Sequence, residues 1–400
     1  LARREIYGID VGTTKVVAIS GSVDGVGGTP EVHSVGEAPS TGLRRGLVVE
    51  PDAARGAVLE AIRACGAPRG PAVVGIAGGH ISSFNAGATL TNRARGHTVS
   101  KDFVGRLKKE ASLVDPGENN RIIHVIPRSF TLDGGDSISQ PVGRTGQRVT
   151  MRAHVVAGAV SDIQSLLGVV ESCGVEVSEV VLEPLASSAA VFDSGDLESG
   201  VALVDVGGGT TDIASFSAGG ALTHSAVVSL GGQSLTSDLA YGLKVSYAAA
   251  ERLKIRYGTV LPGVVDEVAA VELDGRHYSA YFMSQVLEYR AREILEFARD
   301  SLEEARVIGD LTGLVLTGGG VLLDGMPELA SDITGLEVRV ASPNPLPGNF
   351  KPVRKPQYST AVGLLKYASK NIQPEVKGKG ASSGSFGSIV SAIRGWFRGV

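Results

Sequence analysis

The chain has 400 residues with 38 basic and 42 acidic side chains, a net charge of −4. An apolar share of 43% excludes a disordered chain, and the balanced charge excludes a protein that coats polyanions. Glycine is enriched to 54 residues, about twice its usual ~7%, but it has no three-residue period, which excludes a collagen-like chain.

The length predicts two or three domains. Cys65 and Cys173 lie far apart with no CxxC spacing, so two reduced thiols are expected rather than a disulfide framework or a zinc site. The first residues, LARREIYGID, pass from a basic stub into a strand, so no signal peptide is expected. No apolar run reaches the ~20 residues of a membrane-spanning helix. A cytoplasmic protein, or one attached to a membrane from the cytoplasmic side, is the expectation.

In chain order, residues 9–20 (IDVGTTKVVAIS) read as a strand, a turn with Asp, Gly and two Thr, and a second strand. Residues 52–65 predict a helix capped by Asp52 after Pro51. Residues 73–80 (VVGIAGGH) predict a buried strand that ends in two glycines. Residues 83–150 hold several β-like runs around one short helix, VSKDFVGRLKKEAS, which predicts an inserted α+β subdomain. Residues 161–174 predict a capped helix ending at Gly174. The first hairpin pattern then returns at 204–217 (VDVGGGTTDIASFS), and the strand–glycine pattern returns at 314–330 (LVLTGGGVLLDGMPELA). Such a repeat predicts two similar α/β domains facing each other across a cleft.

Between these, residues 281–306 predict a long helix. Its apolar stripe runs through Met283, Leu287, Ala291, Ile294, Leu295, Ala298, Leu302 and Ala305. Residues 371–385 predict a flexible linker. The last stretch, 386–400, places Phe386, Ile389, Val390, Ile393, Trp396 and Phe397 on one helical stripe, with Arg394 and Arg398 off it. At ~1.5 Å per residue this helix is too short to span a bilayer, and it predicts a membrane-surface anchor.

The two Asp–Gly–Thr turns suit a polyphosphate. Consecutive backbone N–H groups form anion nests, glycine allows close approach, and Thr hydroxyls add donors. Gly12, Thr13 and Thr14 would hold one side, and Gly207, Gly208, Gly209, Thr210 and Thr211 the other. Asp10 and Asp205 would face Mg²⁺, usually through water.

Five segments in order are similar to the motifs of the actin-like ATPase superfamily: IDVGTTK (9–15), EPLASSAAV (183–191), VDVGGGTTDIA (204–214), LTGGGVLLDGMPELA (316–330) and STAVGLLKYA (359–368). The resemblance implies ATP with Mg²⁺ as cofactors and Asp10, Glu183 and Asp205 as catalytic residues. Glu183 would stand near the attacking water or the metal, and Lys15 would reach a phosphate. AERLKIRYG (250–258) resembles the adenosine-contacting helix of chaperone relatives, which assigns Glu251 to the ribose and Lys254 to the adenine. Gly231, Gly232, Gly318, Gly319 and Gly320 would let the nucleotide approach the backbone. Leu322 stands near the place where chaperone relatives carry an Arg that stacks on the base.

The insert and the tail resemble those of the FtsA family of bacterial cell-division proteins. That resemblance implies an actin-like ATPase fold built of two duplicated α/β domains around a nucleotide cleft, with a small α+β subdomain inserted in the first half. The expected boundaries are 1–82 with 160–196, the insert 83–159, 197–230 with 311–370, a second-half insert 231–310, the linker 371–385 and the membrane helix 386–400. It further implies filaments of the chain itself at the division site, on the cytoplasmic face of the plasma membrane. Lipid would be held by the C-terminal helix, the FtsZ C-terminal tail would bind near 232–310 with Arg292 and Arg299, and later division proteins would dock on the inserted subdomain. No nucleic acid is implied, and ATPase activity would be weak. The rival readings are a pilus-assembly ATPase scaffold, which shares the insert, and an actin-fold small-molecule kinase, for which no acceptor motif is present.

Overall fold

The computed structural model describes residues 3–25, 27–66 and 70–370. The expected linker and the expected anchor, with Phe386, Ile389, Val390, Ile393, Arg394, Trp396, Phe397 and Arg398, lie outside the described residues.

The first half opens with β1 (Arg3–Val11), β2 (Lys15–Asp24) and β3 (Glu31–Pro39), an antiparallel meander. A small hairpin, β4 (Leu43–Arg44) and β5 (Leu47–Val48), leads to α1 (Pro51–Cys65). β6 (Ala72–Ile76) then lies parallel to β1. Side chains alternate between two cores. Ile6, Val17 and Ile19 point to one; Tyr7, Ile9, Val16 and Ala18 point to the other, where they meet Ala57, Val58 and Ala61 of α1.

Two expected caps are corrected. Asp52 does not cap α1: Glu50 holds the capping position without a side-chain bond, and Pro51 starts the helix. The missing N–H of Pro51 costs nothing at a first helical position, and Asp52 meets the helix dipole from the first turn. Likewise Ser161 does not cap the next first-half helix, which begins one residue earlier behind Ala159.

The insert is β7 (Ile81–Thr91), α2 (Lys101–Ala111), β8 (Asn120–Leu132), β9 (Ser137–Ile138) and β10 (Arg148–Ala159). Its antiparallel sheet has the order β7-β10-β8-β9. Ser100 caps α2 by accepting from the Phe103 N–H, and Phe103 and Leu107 pack on Phe130, Val149 and Met151. The chain returns through α3 (Val160–Ser172) and β11 (Val177–Leu182), which completes the first sheet in the order β11-β6-β1-β2-β3. α4 (Glu183–Val191) and α5 (Ser194–Ser199) lead to the second half.

That half repeats the plan. β12 (Val201–Val206), β13 (Thr211–Phe216) and β14 (Leu222–Val228) form a second meander. Next come α6 (Gly232–Leu243), α7 (Tyr247–Tyr257), the hairpin β15 (Ala270–Leu273) and β16 (Arg276–Ser279), and α8 (Ala280–Glu304). β17 (Gly313–Thr317) lies parallel to β12 and is followed by α9 (Met326–Thr334), β18 (Glu337–Val340) and α10 (Ser359–Lys370). The order β14-β13-β12-β17-β18 mirrors β3-β2-β1-β6-β11, with the same succession of antiparallel and parallel pairs. The repeat in the sequence is thus a repeat in topology.

α4 and α10 pack on each other, and one core joins both sheets through them: Leu185, Ala186, Leu364 and Leu365 share it with Ile19, Val73, Leu203 and Val315. The stripe of α8 is buried as expected from Met283 to Leu302, while Ala305 ends the helix half-buried. Both cysteines are free thiols. Among the described residues, no helix is long and apolar enough to cross a membrane.

Candidate nucleotide site

The first turn, Gly12–Thr14, joins β1 to β2, and the second, residues 207–210, joins β12 to β13. Thr13 is buried and its Oγ1 accepts from the Gly46 N–H at 3.1 Å. In the second turn the Gly207 N–H donates to the Thr210 carbonyl at 2.9 Å. The two turns face and touch each other. A Cβ on Gly208 would fall 2.7 Å from Thr14 Oγ1, and one on Gly209 would fall 2.7 Å from Thr13 Cγ2. Side chains there have no room, so glycine is required by contact with the opposite turn.

α6 starts on the second turn. The Gly232 and Gln233 N–H groups donate to the carbonyls of Gly207 and Gly208 at 2.9 and 2.8 Å, which occupies donors that a helix start leaves unpaired. A Cβ on Gly231 would lie 2.7 Å from the Gly207 oxygen. Glu251 and Lys254 sit on α7 beside this junction. Lys254 Nζ donates to the Gly232 carbonyl at 3.1 Å and to Thr236 Oγ1 at 2.7 Å, and pairs with Glu251 at 2.8 Å. The two expected nucleotide contacts therefore bind each other and the start of α6. Gly318, with φ +91°, and Gly320 lie against the end of β12, where a Cβ on Gly320 would stand 3.0 Å from Val206 Cβ. Gly319 adjoins Gln357, and Leu322 is 55% exposed.

The acids converge behind the turns. Asp205 is buried and accepts from Ser187 Oγ of α4 at 2.5 Å and from Thr360 Oγ1 of α10 at 3.4 Å. Burial lifts its carboxyl above the usual range, against those two bonds and Lys15. Asp10 is pushed up to about 7, first by burial, against the pull of Lys15, with Asp205 adding repulsion. Glu183 is raised well above its ordinary value by burial and by Asp10, Asp212 and Asp205. Asp212 is the register partner of Asp205 across β12 and β13, and it is raised the same way. Its Oδ1 is buried without a hydrogen-bond partner. Burial lowers the Lys15 ammonium while Asp10, Glu37 and Asp205 support it.

The oxygens of these four carboxyls, one of them orphaned, are hard donors of the kind Mg²⁺ takes, and the charge of a bound cation would favour their ionised forms. Among the described residues no three His, Cys, Asp or Glu groups are close enough to hold a metal by themselves. The fit is therefore to an ion held largely through water and phosphate oxygens.

Asp212, Ser187 and Thr360 are not among the residues that the sequence motifs single out. Asp212 carries a sequence signal: it is an acid in the β-like run TDIASF directly after the glycine turn. Ser187 and Thr360 are small polar residues in apolar helices, and nothing local marks them.

The mirrored sheets, the crossing helices and the opposed turns define an actin-like ATPase fold. It is shared with a PilM–PilN type IV pilus biogenesis complex (TM-score 0.68, 16% identity, 93% of this chain and 100% of that chain). It is also shared with MreB5 of Spiroplasma citri bound to ADP (TM-score 0.55, 16% identity, 92% and 98%). The family model described as cell division protein FtsA matches residues 202–363, and that of the SHS2 domain inserted in FtsA matches residues 78–157. Cell division protein FtsA of Pseudomonas aeruginosa is 34% identical over 412 residues, which is 98% of this chain and 97% of that protein. The chain belongs to the FtsA family of cell division proteins.

Proposed function

We propose that this chain binds ATP at its two opposed turns, which part to admit the phosphates, assembles into filaments on the cytoplasmic face of the membrane at the division site, and tethers the FtsZ ring there. The observation that carries the nucleotide reading is the meeting of the two turns, Gly208 against Thr14 and Gly209 against Thr13, in front of Asp10 and Asp205. Backbone N–H groups and the hydroxyls of Thr13 and Thr14 would grip phosphate oxygens. The expected roles of Thr210 and Thr211 are corrected: Thr210 bonds to Asp212, and buried Thr211 Oγ1 donates to the Leu230 carbonyl at 2.9 Å. Asp10 and Asp205 would hold the waters of Mg²⁺, which would supply positive charge against the β- and γ-phosphates. Glu183 would orient a water, and hydrolysis would be slow. Gly318–Gly320 would offer bare backbone to the adenosine, with Glu251 and Lys254 nearby.

The amphipathic pattern at 386–400 supports membrane attachment, and a filament multiplies weak anchors into a firm grip. For the FtsZ tail, the second-half insert is the proposed surface. Arg292 pairs with Glu288 and Arg299 with Asp300 on their own helix, so these arginines are already engaged. Exposed Tyr241, Phe282, Tyr289 and Phe297 of α6 and α8 offer an apolar face instead. The inserted subdomain is proposed to recruit later division proteins.

Sedimentation with liposomes, with and without ATP and a synthetic FtsZ tail peptide, tests the reading. The full chain is expected to pellet with ATP and to carry the peptide, and a chain lacking 386–400 is expected to stay in solution. A truncated chain that still pellets with liposomes overturns the anchor. A chain that shows no response to ATP overturns the nucleotide reading.

A further inference from the structure

Lys15 begins β2, and its ammonium is buried without a hydrogen-bond partner. It stands 3.7 Å from the centroid of the Tyr358 ring instead. Asp10, Glu37 and Asp205 surround it at longer range. The ring is fixed from two sides. Its hydroxyl donates to Glu37 Oε2 on β3 at 2.7 Å, and its backbone runs directly into Ser359, the first residue of α10. Ser359 Oγ meets Thr317 Oγ1 at 2.7 Å, and the next residue, Thr360, bonds to Asp205.

An ammonium stripped of water is expensive to bury unless acceptors replace the water. The face of an aromatic ring replaces it only partly. Phosphate oxygens are far stronger partners, because charge assists the hydrogen bond. We propose that Tyr358 is a positioning residue for the phosphate site: its ring and the oxygens of a bound polyphosphate compete for the Lys15 ammonium. The proposal rests on the reading that the two turns bind a nucleoside triphosphate. Transfer of the ammonium from ring to phosphate removes the Lys15 contact from Tyr358, while the Glu37 bond keeps the ring in place.

The test is lysine-selective ¹³C NMR on the full chain, with the Lys15 signal identified by its loss in Lys15→Met. Without added nucleotide, the Lys15 ε-protons are expected upfield of other lysines, because they lie over a ring face. Tyr358→Leu returns them to the ordinary position and Tyr358→Phe does not. Titration with Mg·ATP, and separately with inorganic tripolyphosphate, moves the wild-type signal to the ordinary position in step with binding. Calorimetry supplies the second reading. Tyr358→Leu is expected to bind Mg·ATP about two- to ten-fold more tightly, because the competing ring is gone. A residue with only a structural role would weaken binding when replaced. A Lys15 signal that stays upfield at saturating ATP, or Tyr358→Leu binding more weakly, overturns the proposal while leaving the nucleotide reading intact. Failure of ATP to bind at all overturns both. The wild-type titration decides the question even where Tyr358→Leu does not fold.

Discussion

Gly363 of α10 lies directly on the backbone of Ala186 of α4: a Cβ there would fall 2.8 Å from Ala186 Cα and overlap its carbonyl group. The crossing of these helices sets the spacing of both sheets, because their side chains fill the core common to the two halves. Ser187 and Thr360 flank the crossing and meet each other at 3.0 Å above Asp205. Gly363→Ala is expected to cost about 1–3 kcal/mol by overpacking. It should also lower ATP affinity, since Asp205 is held by both helices. Thermal unfolding and ATP titration check this, and an unchanged melting temperature would show that the helices separate freely.

Asp10→Asn tests the crowded acids. The unfolded Asp10 ionises near 3.8, while the folded one does so only at about 7. Between those values the folded state binds more protons, so this residue makes stability fall as pH rises from about 4 to about 7. The variant is therefore expected to match the wild type near pH 4 and to exceed it above pH 7 by at least about 1 kcal/mol. Denaturant unfolding at several pH values measures the difference. A variant less stable than the wild type at pH 8 would contradict the assignment.

Gly208→Ala is expected to lower the melting temperature and abolish ATP binding, because the new methyl strikes Thr14. Adding Thr14→Gly should restore the melting temperature by making room. It should not restore binding, since a proposed phosphate donor has been removed. Recovery of both in the double variant would exclude Thr14 from the site.

Two buried histidines predict sensitivity to acid. His124 accepts from the Leu182 N–H at 3.1 Å, and burial holds its pKa to about 4. His154 joins Asn85 at 3.0 Å and Ser225 at 2.9 Å, and burial holds its pKa to about 3. Unfolded histidine takes its proton near 6.5, so stability is lost as pH falls below that value. Each should cost about 2 kcal/mol between pH 6.5 and 5. His154→Gln is expected to flatten the acid limb. Because His154 lies in the insert and Ser225 in β14, it should also raise amide exchange in β7 and β10. Parallel acid limbs in variant and wild type would remove His154 from the account.

Much of this was legible in the chain. The two hairpin turns, the insert and the α8 stripe follow local periodicity, and local periodicity survives without knowledge of the fold. The polar residues mark the helix starts one position late, because Pro51 and Val160 already stand in the first turn. Tyr358 and Ser187 were invisible for another reason. Tyr358 acts across 343 positions on Lys15 and across 321 on Glu37, and only the folded sheet brings them together. Glu251 and Lys254, expected at the nucleotide, pair with each other, and Lys254 bonds to the start of α6, contacts that no local pattern announces.

The contact of Gly208 with Thr14 and of Gly209 with Thr13 bears on how such a chain can change over generations. Each hairpin reads as one copy of a doubled element, yet neither copy can drift alone. A bulkier residue in one is rejected by the surface of the other. Chimeras that pair the first half of one relative with the second half of another should therefore succeed only when both turns travel together.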